Sequence, residues 1–173
     1  MFVLLAGLPG VGKSTLANAL AAEAGATVLD RDKVRDSIFP AVDLDYTAEQ
    51  NELASQVTYL VAEYIARRNP ERIIILDGRP FSRTAQIREV ERLAARAGHA
   101  LRIFYLWAPD DVVAARLQHD LTVRQDHAAN RNMRKYRRIQ QQFEPIQAEH
   151  LSLDASVPLP ELVRAALAYI TQA

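Results

Sequence analysis

The chain has 173 residues, 49% of them hydrophobic and 24% charged, which suits one globular domain with its own core. Its 21 basic residues equal its 21 acidic ones, so no global field draws it to nucleic acid or an anionic membrane. The lack of cysteine excludes disulfides, thiolate metal sites and cysteine nucleophiles.

The first predicted element is a strand over 2–6. Its apolar run lacks a basic leader and passes straight into glycines, which reads as a buried strand and not a signal peptide. No apolar run is long enough to span a bilayer, so the cytoplasm is the expected location. Next comes GLPGVGKST, residues 7–15, which satisfies G-x-x-x-x-G-K-[ST] in full. It lies between that strand and a helix over 13–24 whose apolar face is Leu16, Ala17, Leu20, Ala21 and Ala24, with Gly25 at the stop position. In such a loop consecutive N–H groups point at a β-phosphate, and the helix N-terminus adds its positive dipole end. Gly10, Val11, Gly12, Lys13, Ser14 and Thr15 are therefore the expected ATP-binding residues. Lys13 is expected to reach the β- and γ-phosphates, and the Ser14 hydroxyl to ligate Mg²⁺.

A second strand over 27–30 runs into VLDRDKVRDSIF, residues 28–39, dense in aspartate and arginine. Residues two apart in a strand point the same way, about 6.6 Å from each other. Asp30 and Asp32 are thus expected to face the crevice beyond the strand, where ligands collect in open α/β sheets. Arg31 is expected to face away, solvated along with Lys33 and Asp36. Arg35 joins the two aspartates if a helical turn begins there. A carboxylate that takes a hydroxyl proton and an arginine that fixes the acceptor are what phosphoryl transfer to an alcohol requires. Helix capping is the alternative role for Asp32.

The following loop offers Asp43, Asp45 and Tyr46 as acceptor ligands, the carboxylates suited to hydroxyls or an amine. A helix over 48–68 opens with Thr47-x-x-Gln50, a capping-box pattern, and repeats Leu53, Val57, Leu60, Val61 and Tyr64. The strand RIIILD, 72–77, ends in Asp77, the Walker B form, which is expected to hold Mg²⁺ directly or through water. In GRPFSR just beyond it, Arg79 and Arg83 are placed to grip an anionic acceptor, with an ion pair to an acidic helix surface as the alternative for Arg83. A helix over 84–97 repeats Ile87, Val90, Leu93, Ala94 and Ala97 and ends at Gly98.

The fourth strand, 101–107, leads to a helix capped by Asp110 or Asp111 and running to about 118. HDLTVRQDH is the expected tip of a lid at about 118–135, with Arg124 first and Arg131 second as the arginine that closes on the transferring phosphate. At 100° per residue Arg131, Arg134, Lys135 and Arg138 share one helix face, while Ala129, Met133, Tyr136, Ile139 and Phe143 face the core. The histidines show no metal-ligand spacing. A strand over 150–153 and a helix with Leu162, Val163, Ala166, Leu167 and Ile170 complete the chain. Nearly continuous apolar strands alternating with helices predict one doubly wound α/β domain over 1–173.

No N-K-x-D is present, and the chain is too short for an oligomeric ATPase with an added helical subdomain. The sequence resembles the small metabolite and polynucleotide kinases of the phosphate-loop superfamily. RDKVRDSI is similar to the Asp-x-x-Arg element of phage-type polynucleotide 5′-hydroxyl kinase, and LDRDKVR to the Asp-x-Asp turn of adenylylsulfate and shikimate kinases. The resemblance covers residue 1 to about 117, without the glycine triplet of the shikimate type or the Lys-Gly-Leu-Tyr lid of the adenylylsulfate type. It implies a three-layer αβα P-loop kinase fold: a five-stranded parallel sheet in the order 2-3-1-4-5 with a helical lid. It further implies Asp32 as general base, Arg35 as substrate ligand, Asp30 as an aid in positioning Mg²⁺, and Arg116 packed on adenine. The family's lid arginine falls where His119 and Asp120 stand, which leaves Arg124 and Arg131 both open. The expected activity is transfer of the γ-phosphate of ATP to a hydroxyl of a small molecule, with Lys13 and lid arginines stabilising the transition state. A polynucleotide 5′-hydroxyl kinase and a non-catalytic ATP-binding protein are the alternatives. Oligomeric state is not legible.

Overall fold

Five short strands, β1 (Phe2–Gly7), β2 (Thr27–Asp30), β3 (Ile74–Asp77), β4 (Leu101–Trp107) and β5 (Leu151–Asp154), form one parallel sheet in the order β2-β3-β1-β4-β5. The structure is a computed structural model that describes residues 1–123 and 133–172, the side chains of 121–123 excepted. Seven helices are seen among the described residues: α1 (Lys13–Ala24), α2 (Arg31–Ile38), α3 (Ala48–Arg68), α4 (Thr84–Ala97), α5 (Asp110–Val123), α6 (Met133–Gln141) and α7 (Leu159–Thr171). The strand order is the one expected. β3 and β5 each start later than the sequence suggests, β5 also ends one residue later, and α5 runs past 118 to Val123.

Alternation along β1 splits the core in two. Val3 and Leu5 meet Leu16 and Leu20 of α1 and Val163 and Ile170 of α7, while Phe2, Leu4 and Ala6 meet Ala62 of α3 and Ile87 and Val90 of α4. With both faces covered, every residue of β1 is buried, which is why the strand reads as an unbroken apolar run. Register brings Asp30, the last residue of β2, level with Asp77, the last residue of β3.

The third helix departs from its sequence pattern. Its buried positions include Ala54, Ser55, Thr58, Ala62 and Ala66, whereas Leu53, Leu60, Val61 and Tyr64 of the apolar repeat are exposed. Small side chains allow close approach to the sheet, and the Ser55 and Thr58 hydroxyls donate to the Asn51 and Ala54 carbonyls one turn back, so their burial leaves no unmet polar group. The capping box is half formed: Thr47 accepts from the Gln50 N–H, but the Gln50 Oε1 accepts from Asp45 and Tyr46 N–H instead of the cap. Among the described residues no helix is long and apolar enough to cross a membrane.

Candidate active site

The phosphate loop joins β1 to α1. Gly7 has φ +143°, its N–H donates to the Pro80 carbonyl, and a Cβ there would overlap the Leu106 carbonyl. Lys13 folds back along the loop, its Nζ 2.9 Å from both the Gly7 and Leu8 carbonyls. Arg116 on α5 spans the Val11 carbonyl at 3.0 Å and the Ala155 carbonyl at 2.7 Å, tying the loop to the chain beyond β5. Gly10, Gly12, Ser14 and Thr15 lie where the motif puts them, around the start of α1.

Asp77 is 3% exposed, and its Oδ1 has no hydrogen-bond partner among the described residues. A buried carboxylate oxygen without a partner is costly unless a cation completes it. With the Ser14 hydroxyl at the start of α1, after the neighbouring strand β1, the donor set suits a hard, oxygen-seeking cation such as Mg²⁺. Among the described residues no group of three or more His, Asp or Glu side chains is arranged to hold a metal ion, so such a cation would draw its other oxygens from phosphate and water. Burial, and then the neighbouring Asp77 charge, raise the Asp30 carboxyl above its ordinary range.

The second strand ends sooner than the alternation argument assumes, and this corrects the predicted directions. Asp30, not Asp32, caps α2: its Oδ1 accepts from the Asp32 N–H at 2.9 Å and the Lys33 N–H at 3.4 Å. Helical turning then carries Arg31 inward. Its Nη2 lies 2.7 Å from Asp32 Oδ1 and 2.6 Å from the Gly78 carbonyl, so Arg31 is neither turned away nor solvated. Arg35 donates to the same Asp32 Oδ1 at 3.0 Å, to Asp36 through Nε and Nη2, and to Asn51 Oδ1 at 2.9 Å. Asp36 is thus an ion-pair partner, not a free surface charge. Arg35 is itself buried, its guanidinium 4.5 Å from the ring centroid of Tyr46, a residue held at φ +56°. Two guanidinium groups therefore orient one carboxylate oxygen of Asp32.

Gly78, at φ +84°, makes this meeting possible. A Cβ there would stand 2.7 Å from Asp30 Oδ1, 2.9 Å from the Arg31 nitrogen and 3.0 Å from the Asp32 nitrogen. The bare glycine lets the turn after Asp77 touch the turn that carries Asp32. Sequence reasoning missed Gly78, Arg31 and Asn51. The one local signal was the spacing of Asp30 ahead of Asp32 and Lys33, which suits a helix cap.

The other candidates disperse. Arg79, itself buried, bonds to Tyr59 and the half-exposed Glu52 of α3 and to the half-exposed Glu89 of α4, which spends its charge on joining two helices. Arg83 is exposed at the start of α4, and its backbone N–H donates to Gln86 Oε1. Asp45 accepts from the Thr47 N–H ahead of α3. Arg124 and Arg131 lie outside the described residues. Asp110 stands within the first turn of α5, not before it, and accepts from the Tyr136 hydroxyl at 2.7 Å. A cavity of about 390 Å³ opens on the β4 side of the loop, lined by Leu8, Trp107, Asp110 and Tyr136 among others, across the sheet from Asp32.

A parallel sheet in this order, with a phosphate loop on its central strand and a buried acid on the next, defines the phosphate-loop class of nucleotide-binding α/β domains. Residues 2–146 match the AAA_33 family, described as an AAA domain, and the chain belongs to that family. No curated protein matches the sequence significantly. Among solved structures the chain is similar to a provisionally assigned kinase from Chloroflexus aurantiacus, at 17% identity and a TM-score of 0.76, over 97% of both chains. It is likewise similar to the APS kinase of Mycobacterium tuberculosis in complex with AMPPNP and APS, at 18% identity and a TM-score of 0.70, over 98% of this chain and 96% of that one. A gluconokinase from Sinorhizobium meliloti aligns at 18% identity and a TM-score of 0.65, over 98% and 91% of the two chains. The fold is that of the small P-loop kinases.

Proposed function

We propose that the protein is an ATP-dependent kinase that phosphorylates a hydroxyl of a small molecule. The observation that carries this reading is the grip of Arg31 and Arg35 on Asp32, beside the Asp30–Asp77 strand ends. A protein that only bound nucleotide would have no use for an oriented carboxylate at that place. The structural neighbours support the reading, one of them holding AMPPNP and APS.

In the proposed reaction Asp32 takes the acceptor's hydroxyl proton as the hydroxyl oxygen bonds to the γ-phosphorus. The bond from that phosphorus to the β–γ bridging oxygen breaks, and ADP leaves with the electron pair. Lys13, Arg124 and Arg131 are assigned to the charge that develops on the phosphoryl oxygens. Ser14 and Asp77 would hold Mg²⁺, which supplies charge neutralisation at the β- and γ-phosphates. Arg116 is assigned to the base of ATP, and Arg35, Tyr46 and the exposed Asp45 to the acceptor side.

The test is a γ-labelled ATP transfer screen across sugars, nucleosides, antibiotics and 5′-hydroxyl oligonucleotides. The expected result is a labelled low-mass product, with turnover lowered about 100- to 1,000-fold in Asp32→Asn while ATP binding persists. Unchanged turnover in that variant removes Asp32 as the base, and no product from any acceptor favours a non-catalytic ATP-binding protein. One observation favours the 5′-hydroxyl kinase reading: Arg134, Arg137 and Arg138 are exposed on α6. Its mark would be a labelled oligonucleotide whose yield falls steeply with salt.

A further inference from the structure

The face that α3 shows to solvent is patterned as an interface. Leu53, Val57, Leu60 and Tyr64 follow one another at four-, three- and four-residue steps, the spacing of a coiled-coil seam, and Val61 widens it. Leu53 is 44% exposed, Leu60 67%, Val61 40% and Tyr64 55%. A contiguous stripe of large apolar side chains is uncommon on a monomer's surface and marks a contact site. The stripe ends in opposite charges, with Glu49 in the first turn of the helix and Arg67 and Arg68 in the last. Glu49 and Arg68 of one helix are about 28 Å apart and cannot reach each other. Among the described residues Glu49 has no ion pair, and the Arg68 guanidinium lies 5.7 Å from the Tyr64 ring centroid, along the stripe.

We infer that α3 is the interface of a two-fold homodimer, packed antiparallel on α3 of a second copy of this chain. An antiparallel copy placed with Leu53 opposite the partner helix's tyrosine of the stripe sets Val57 opposite the equivalent of Leu60. The same placement, with no further adjustment, sets Glu49 opposite the equivalent of Arg68. Apolar seam and terminal charges thus agree on one register, and the two-fold axis repeats every contact. A parallel pair would place like charge beside like charge at both ends. The self-complementarity points to a second copy as the partner, since this helix reversed carries the matching order of apolar and charged positions. The opposite face of α3 holds Asn51 and Glu52 in their bonds to Arg35 and Arg79, so the interface leaves the candidate active site uncovered.

The test is sedimentation equilibrium on the full chain from about 1 to 100 μM, the range in which modest interfaces assemble. Twice the chain mass is expected. Leu60→Glu, at an exposed position that the fold does not need, should raise the dimer dissociation constant at least about 100-fold with an unchanged far-UV circular dichroism spectrum. Tyr64→Ser serves as a second variant with the same expectation. Arg68→Glu alone should weaken the dimer about 10-fold, because the charge pair occurs twice, and adding Glu49→Arg should restore it. A wild-type chain that stays monomeric throughout overturns the proposal, as does a dimer indifferent to both Leu60→Glu and Tyr64→Ser. A double charge reversal no tighter than Arg68→Glu overturns the antiparallel register.

Discussion

The phosphate loop after β1 and the turn after β2 that carries Asp32 stand on either side of the end of β3, yet they are held in different ways. The loop is one unbroken stretch, 7–15, shaped by glycine dihedrals and closed by its own carbonyls on Lys13. The Asp32 turn is shaped by side chains from segments far apart in sequence: Arg31 reaching Gly78, and Arg35 joining Asp36, Asn51 and Tyr46. Contiguous covalent geometry specifies the first, and a network of charge-assisted bonds the second. Damage to the loop should therefore cost binding and stability together, whereas damage to the network should cost turnover and spare nucleotide binding.

The largest effect is expected of Gly7→Ala, where φ +143° and overlap with the Leu106 carbonyl act together. Urea unfolding should show a loss of about 4 kcal/mol, and calorimetry no ATP binding. Lys13→Ala removes the amine that closes the loop on the Gly7 and Leu8 carbonyls. It should cost about 1 kcal/mol in urea unfolding, weaken ATP binding by calorimetry and lower turnover about 1,000-fold in the γ-label assay. Gly78→Ala presses the two turns apart and should lower kcat about 100-fold, with ATP affinity within about 3-fold of wild type. If ATP affinity fell in step with kcat, the two regions would not be separate units. Arg31→Met should cost about 10-fold in kcat, and added guanidinium ion should return part of it, since Arg35 still holds Asp32.

The smallest effect lies in a third region. Burial, and then the hydrogen bond that Asp110 accepts from it, push the Tyr136 hydroxyl up to about 12 from an ordinary 10.0. The folded state then keeps a proton that the unfolded chain gives up. That contribution is complete below pH 10 and is lost as pH rises toward about 12. Tyr136→Phe should lose about 1 kcal/mol at neutral pH and flatten the decline in stability over the alkaline range, read by urea unfolding at several pH values. ATP binding should not change.

Much of this molecule is legible in its residue order. The G-x-x-x-x-G-K-[ST] stretch needs only the strand before it and the helix after it, and both are plain in the local pattern. The strand runs are apolar because both sheet faces are covered, so their parallel arrangement shows in composition alone. The direction of Arg31 was not legible. VLDRDK is compatible with a strand that continues to Asp32 and with one that stops at Asp30, and the choice rests on Asp30 capping α2 against a glycine nearly fifty residues away. Arg79 likewise looked like an acceptor ligand beside Asp77, until the packing of α3 on α4 brought two glutamates and a tyrosine to it.

The third helix draws the line most clearly. Its sequence carries two apolar faces, one small (Ala54, Ala62, Ala66) and one large (Leu53, Leu60, Tyr64), and periodicity reports both. By itself the sequence determined the class of fold, the phosphate loop and the acid that ends the neighbouring strand, because each follows from local backbone geometry and burial. Only the tertiary structure decided which face of α3 lies inward and which arginines hold Asp32, because close packing and ion pairing depend on what the rest of the chain brings within reach.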